Sequence, residues 1–384
     1  MRVIVIGAGI IGLATAWRLV GDGHDVTVCD PAPAQGATHA AGGMLTPVAE
    51  AYHGEDDLTA LLLASADRYP GFVNDLAAHL PPDVATGYVT SGTLIVGADA
   101  ADRGYLAALH ELAVRLGLHS EQITTREARR IEPLLGRVTC AYLAPDDHQV
   151  DPRTLAAALL TGLRARGVEI VEEPCEEVVP GEPPSVRTPT TTLEADVVVA
   201  APGLGPLPDG LGIDLGAILR PVYGEVLRLR APDQLASMLT HTVRGPVAGR
   251  PVYIIPRGDG RVLLGATSRE DDAAHVSAGG VHDLLADAIQ LMPAIREFGI
   301  DDVVARARPG TPDNAPLLGE TAPGVIVAAG FFRHGILLSA VAADIVAALV
   351  RSRADTPHDG DDDLLDLART IDPHRFSTDR KDKP

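Results

Sequence analysis

The chain has 384 residues, about two to three times the usual domain length of roughly 100–200, so two domains are expected. Its 46% hydrophobic and 22% charged residues exclude wholesale disorder and leave enough apolar material for a sizeable core. Thirty-two Lys+Arg against 52 Asp+Glu give a net charge of −20, which repels phosphate backbones and anionic membranes and so argues against nucleic acid as a partner.

In chain order, Arg2-Val3-Ile4-Val5-Ile6 reads as a parallel strand buried on both faces. Residues 10–22 follow as a helix and Asp25–Cys29 as a second strand, completing a βαβ unit. The apolar start could pass for a secretory leader, but three glycines interrupt it and a strand follows at once. Helices are expected near 58–80, 102–118 and 126–132. A further one starts at the N-cap Asp151 with Pro152 behind it and runs to about Arg166. Strands are expected at Val168–Val171 and Ala195–Ala200. Gly87–Val96 alternates, and Pro221–Leu229, Pro251–Pro256 and Arg261–Gly265 read as short antiparallel strands. A last strand, 324–329, leads through a turn into a helix from about Gly335 to Arg351. The apolar stretch Gly335–Val350 is shorter than the roughly 20 residues needed to span a bilayer.

The expected fold is therefore α/β: a Rossmann-like nucleotide-binding domain with a discontinuous antiparallel-sheet substrate domain. The first comprises residues 1–82, 145–218 and 304–352, the second 83–144 and 219–303. Residues 353–384 form an acidic, partly flexible tail. Cys29, Cys140 and Cys175 lack CxxC spacing, which suits reduced thiols in a cytoplasm. The histidines show no metal-ligand spacing, so no metal is expected.

Gly7, Ala8, Gly9, Ile10, Ile11 and Gly12 form a G-x-G-x-x-G between a strand and a helix. The first glycine permits the tight turn, the second lets backbone approach a pyrophosphate, and the third lets helix pack on strand. The helix N-terminus then favours the phosphates. Asp30, ending the second strand, can accept hydrogen bonds from ribose hydroxyls and would repel a 2′-phosphate. The motif alone leaves NAD and FAD open. Two features lean toward a flavin. Thr38–Leu45 contains Ala41, Gly42 and Gly43, small enough for backbone to approach a flat ring. The helix near Gly335 can stabilise anionic charge at a ring edge.

Together these pieces resemble the D-amino-acid oxidase family of flavoproteins, and within it the glycine-oxidase branch of ThiO type. The resemblance rests on Gly7–Gly12, Ala41–Leu45, Gly87-Tyr88 with Gly92–Leu94, Asp147–Pro152, Arg220-Pro221 with Gly224, Val252-Tyr253 to Thr267, Arg308–Asn314 and Phe332–Leu338. It covers the chain to about residue 351. It implies non-covalent FAD held by Ile10, Ile11, Asp30, Pro31, Ala37, Thr38, Gly42, Gly43, Met44 and by Phe331, Phe332, Arg333, His334, Gly335, Ile336 and Leu337. A backbone contact to adenine is implied near Glu176. Arg308 and Tyr253 would be the catalytic pair gripping a substrate carboxylate, with Met44, Ser268 and Arg333 around it. The implied reaction oxidises glycine or a similar small amino acid with oxygen, giving imine, ammonia and hydrogen peroxide, and feeds thiamine thiazole synthesis in the cytoplasm.

Departures at Phe331, Ala307, Tyr223 and the charged Ser268–Ala274 loop leave the side-chain preference open. A bulkier D-amino acid or secondary amine is the alternative substrate. An NAD-dependent dehydrogenase or a nucleotide-binding module is the alternative class. A homo-oligomer is left open as well.

Overall fold

Strand Arg2–Ile6, buried from Val3 onward, is paired in parallel on both sides, with Asp25–Cys29 and with Val197–Ala200. This computed structural model describes residues 1–50, 56–271 and 273–376. The first sheet has the order Leu317–Ala322, Val325–Ala329, Val197–Ala200, Arg2–Ile6, Asp25–Cys29, Glu169–Val171. All its pairings are parallel except that of the edge strand Leu317–Ala322, which sequence reasoning did not anticipate.

The helix Ile10–Gly21 packs between Pro152–Ala165 and Gly335–Arg353, and Asp56–Ala78 packs on the last of these. The 16-residue apolar stretch expected at Gly335–Val350 is part of a 19-residue helix that passes the length and hydropathy needed to cross a membrane. The apolar stretch was counted only to Val350, whereas the helix, expected to reach about Arg351, runs to Arg353. Most of this helix is buried within the core beside the first sheet.

The second sheet has eight strands, in the order Gly299–Gly310, Arg220–Arg230, Arg261–Gly265, Arg250–Pro256, Thr242–Val247, Thr93–Gly97, Cys140–Ala144, Glu121–Ile123. Only Thr93–Gly97 and Thr242–Val247 pair in parallel. Helix Ala278–Leu291 covers one face with Leu284, Ala288 and Leu291, and Ser277 caps it by accepting from Gly280 N at 3.0 Å. That helix was not foreseen.

Two expectations are corrected. Gly87–Val96 is not one alternating strand. Tyr88–Val89 joins a small sheet with Met44–Leu45 and His148–Val150, while Thr93–Gly97 is wholly buried in the large sheet. Gly92, at φ +77°, turns the chain between them. The acidic stretch after residue 353 is partly a helix, Asp361–Thr370, whose Leu364 and Ala368 are buried. Its first turn holds three aspartates, which suit the positive end of a helix. Residues 377–384 of the expected tail, and residue 272 of the charged loop, lie outside the described residues. Strand Gly299–Gly310 also carries the large sheet past residue 304, so the boundary drawn there falls inside a strand.

Candidate active site

The turn after the first strand is built from glycines that do different work. Gly7 has φ +99°, and a Cβ there would lie 2.3 Å from Ala201 O; one on Gly12 would lie 1.9 Å from Gly7 O. Both positions therefore serve close backbone packing. A Cβ on Gly9 would meet only Thr38 Oγ1, at 3.6 Å, so this glycine faces open space. The helix starting at Ile10 has no side-chain cap at Gly9, and Ile10 N donates to Thr38 Oγ1 at 3.0 Å. Asp30 accepts Ala8 N at 2.6 Å and Ala32 N at 2.7 Å, which locks the turn to the end of the second strand.

From this turn a single cavity of about 870 Å³ runs to the face of the eight-stranded sheet. That is large for a small-molecule site, which typically spans about 300–1,000 Å³. One wall is the loop 38–44, which three arginines fasten. Arg153 and Arg228 donate to His39 O at 2.9 and 3.1 Å, and Arg257 donates to Gly42 O at 2.6 Å. Arg257 also binds Val150 O and Gln149 Oε1, and burial lowers its pKa to about 10. Sequence reasoning missed these arginines, because they lie far along the chain from the loop, Arg153 on helix Pro152–Ala165, Arg228 on strand Arg220–Arg230 and Arg257 just after strand Arg250–Pro256.

At the other end, Arg308 and Tyr253 project from strands three apart in sheet order. Glycines on the two strands between them clear the way. A Cβ on Gly224 would lie 2.4 Å from Arg308 Nη1, and one on Gly265 would lie 2.5 Å from Tyr253 Oη. Arg308 Nη1 donates to Thr267 O at 3.3 Å and meets no carboxylate among the described residues. Burial raises the Tyr253 pKa, and the Arg308 guanidinium beside it opposes that shift without cancelling it. The phenol thus stays an O–H donor at neutral pH. Beneath them, Glu225 is fully buried and accepts from Thr267 Oγ1, Ser277 N and Arg269, fixing the segment that carries Ser268.

Gly7, Gly9, Ile10, Ile11, Asp30, Pro31, Ala37, Thr38, Ala41, Gly42, Gly43, Met44, Phe331, Phe332, Arg333, Gly335 and Ile336 all line the cavity, as do Tyr253, Ser268 and Arg308. Ala8, Gly12, His334 and Leu337 lie behind the wall. Glu176 is not on it: its carboxylate pairs with Arg187, and the neighbouring Pro174 and Cys175 line the cavity instead. The cause is the direction of adjoining residues, since Cys175 turns inward to the core and Glu176 outward to an exposed arginine. Cys29 and Cys175 are buried, and burial pushes both thiols up to about 12. An ion pair unforeseen in the sequence, Arg244–Glu50 at 2.6 Å, also lines the cavity.

The residues present fit a dinucleotide with an extended second half. The Asp30 carboxylate lines the cavity at the end of the second strand, and two helices without side-chain caps present their first residues to the same cavity, Ile10 and Gly335. The glycine loop offers backbone, not side chains, to a flat ring.

The sequence profile of FAD-dependent oxidoreductases (DAO) matches residues 2–349. Among curated relatives, the bifunctional protein ThiO/ThiG of Synechocystis sp. is 32% identical over 98% of this chain and 54% of its own length. The putative thiamine biosynthesis oxidoreductase ThiO of Rhizobium etli is 31% identical over 90% of this chain and 95% of its own. The chain thus spans about half the length of the bifunctional relatives it matches. The crystal structure of glycine oxidase from Geobacillus kaustophilus superposes with a TM-score of 0.82 at 30% identity, covering 91% of this chain and 95% of that one. With the profile covering nearly the whole cavity-forming region, the chain belongs to the family of FAD-dependent oxidoreductases.

Proposed function

We propose that the protein is an amino-acid oxidase that converts glycine, or a similarly small amino acid, to its imine. The imine hydrolyses to the 2-oxo acid and ammonia, and oxygen is reduced to hydrogen peroxide. The observation that carries this reading is Arg308. It is a guanidinium inside the cavity with no acidic partner among the described residues, and Tyr253 stands beside it as a neutral donor. A planar guanidinium matches a carboxylate bidentately, which lysine could not do.

When bound, FAD supplies the two-electron oxidant for this chemistry. Gly9, Ile10, Asp30, the loop 38–44 and the turn Phe331–Gly335 would hold it. Arg308 and Tyr253 hold the substrate carboxylate and so fix where its α-carbon stands. Tyr253 keeps its proton, and Glu50 is committed to Arg244, so neither group is poised as a general base. Rate then comes chiefly from orientation and from the exclusion of water. The names of the ThiO relatives support a thiazole-forming step as the consumer of the imine. A reduced cytoplasmic setting, supported by three unpaired thiols, is part of the same proposal.

The test is to supply the yellow protein with glycine, sarcosine and D-alanine and to measure peroxide, ammonia and anaerobic loss of visible absorbance. Arg308→Ala is expected to raise the apparent KM about a hundredfold or more while FAD stays bound. No turnover with any of the three substrates would overturn the reading.

A further inference from the structure

The cavity guanidinium groups of Arg308 and Arg244 differ in what neutralises them. Arg308 faces no carboxylate among the described residues, whereas Arg244 is paired with Glu50 at 2.6 Å. Arg244 lies directly across from Tyr253 on the adjoining strand, so their side chains leave the same face of the sheet. Its Nη1 is 3.7 Å from the sulfur of Met44, which also lines the cavity. Both members of the pair are largely enclosed, at 12% and 14% side-chain exposure, so water screens their charges little.

Glu50 is held from a second side. Its Oε2 lies 3.0 Å from Nδ1 of His334, the buried residue just ahead of helix Gly335–Arg353. Burial alone would raise the Glu50 pKa, but Arg244 and His334 reverse the effect and hold the carboxyl well below the usual range. The cavity therefore carries an anion anchored to Arg244 of the large sheet and to His334 ahead of helix Gly335–Arg353.

We infer that Glu50 is a specificity-determining residue: by neutralising Arg244, it restricts the substrates to amines with a single carboxylate and excludes those that carry a second. The inference rests on Arg308 as the carboxylate partner. With one carboxylate on Arg308 and Tyr253, a second would enter space already occupied by the charge of Glu50. It would have to lie beside a like charge or displace Glu50 from Arg244, and either costs binding. A neutral or small substituent meets neither obstacle.

The test uses full-length, FAD-loaded wild type, Glu50→Gln and Arg244→Gln. Calorimetry compares two unreactive ethers, methoxyacetate with one carboxylate and diglycolate, which adds a second. Turnover compares N-ethylglycine, iminodiacetate and N-(2-aminoethyl)glycine. Wild type should prefer methoxyacetate and N-ethylglycine. Glu50→Gln should shift both anionic-to-neutral ratios toward the dicarboxylates by about tenfold or more. Arg244→Gln, which leaves Glu50 without its cation, should instead shift turnover toward N-(2-aminoethyl)glycine. This second variant decides the matter if Glu50→Gln fails to fold. Ratios unchanged in the folded variants, or a wild type indifferent to the second carboxylate, overturn the inference while leaving the Arg308 reading intact. A wild type that binds neither ligand overturns both.

Discussion

Gly265 shows how much of the candidate site depends on an atom that is missing. The Tyr253 hydroxyl lies where a Cβ on Gly265 would sit, 2.5 Å away, so alanine must push the phenol off Arg308. Gly265→Ala is expected to raise KM tenfold or more and to leave FAD binding and melting temperature close to wild type. Steady-state kinetics beside the visible spectrum would check it. Asp147 offers a contrasting test. It is fully buried, and burial pushes its carboxyl up to about 7 even though it accepts Val48 N and Ala49 N. Because the folded value lies above the ordinary carboxylate value of about 4, its contribution to stability is greatest in acid. That contribution is lost as pH rises from about 4 through about 7. Asp147→Asn is expected to flatten this slope, measured as melting temperature against pH in both proteins.

At the scale of elements, the segment 38–44 runs from the single-turn helix Ala37–Ala40 through 41–43 into the two-residue strand Met44–Leu45, too short to hold itself, so arginines from outside it hold its carbonyls. Arg257 follows strand Arg250–Pro256 directly and ties its end to Gly42, Val150 and Gln149 at once. Hydrogen bonds from a charged donor contribute about 1.5–3 kcal/mol each. Arg257→Met is expected to cost on the order of 3 kcal/mol and to weaken FAD retention. Both readouts come from thermal melts run with and without added FAD, and a variant as stable as wild type would refute the tie. The βαβ unit and the helix after Asp151 were legible because their signals are local: strand, glycine turn, N-cap and proline are neighbours in sequence. The split at Gly92 was not, because alternation looks the same whether the two halves join one sheet or two.

For the whole molecule, the C-terminal elements fasten the end of the first helix that lies away from the glycine turn. Arg351 is buried and joins Asp361 of the following helix to Asp22 at the end of the first helix. Removing only the cation leaves the buried carboxylate of Asp361 without a charged partner, while Asp22 keeps Arg18, and breaking a buried pair from one side costs about 3–5 kcal/mol. Arg351→Met is therefore expected to lower the denaturant midpoint markedly, with partial recovery in the Arg351→Met, Asp361→Asn double variant. Equal stability of the single variant and wild type would show the tie to be idle.

The sequence by itself determined the α/β class, the phosphate turn, the carboxylate at Asp30 and the candidate clamp residue Arg308, because each is written in a short local pattern or a family motif. Only the tertiary structure decided that Arg308 and Tyr253 meet across two glycine notches, that Pro174 and Cys175 rather than Glu176 face the cavity, and that Glu50 cancels Arg244. The physical reason is separation along the chain. Residues 50, 244, 253, 308 and 334 come together only when two sheets pack, and neither charge nor spacing in a linear sequence records which cation an anion will meet.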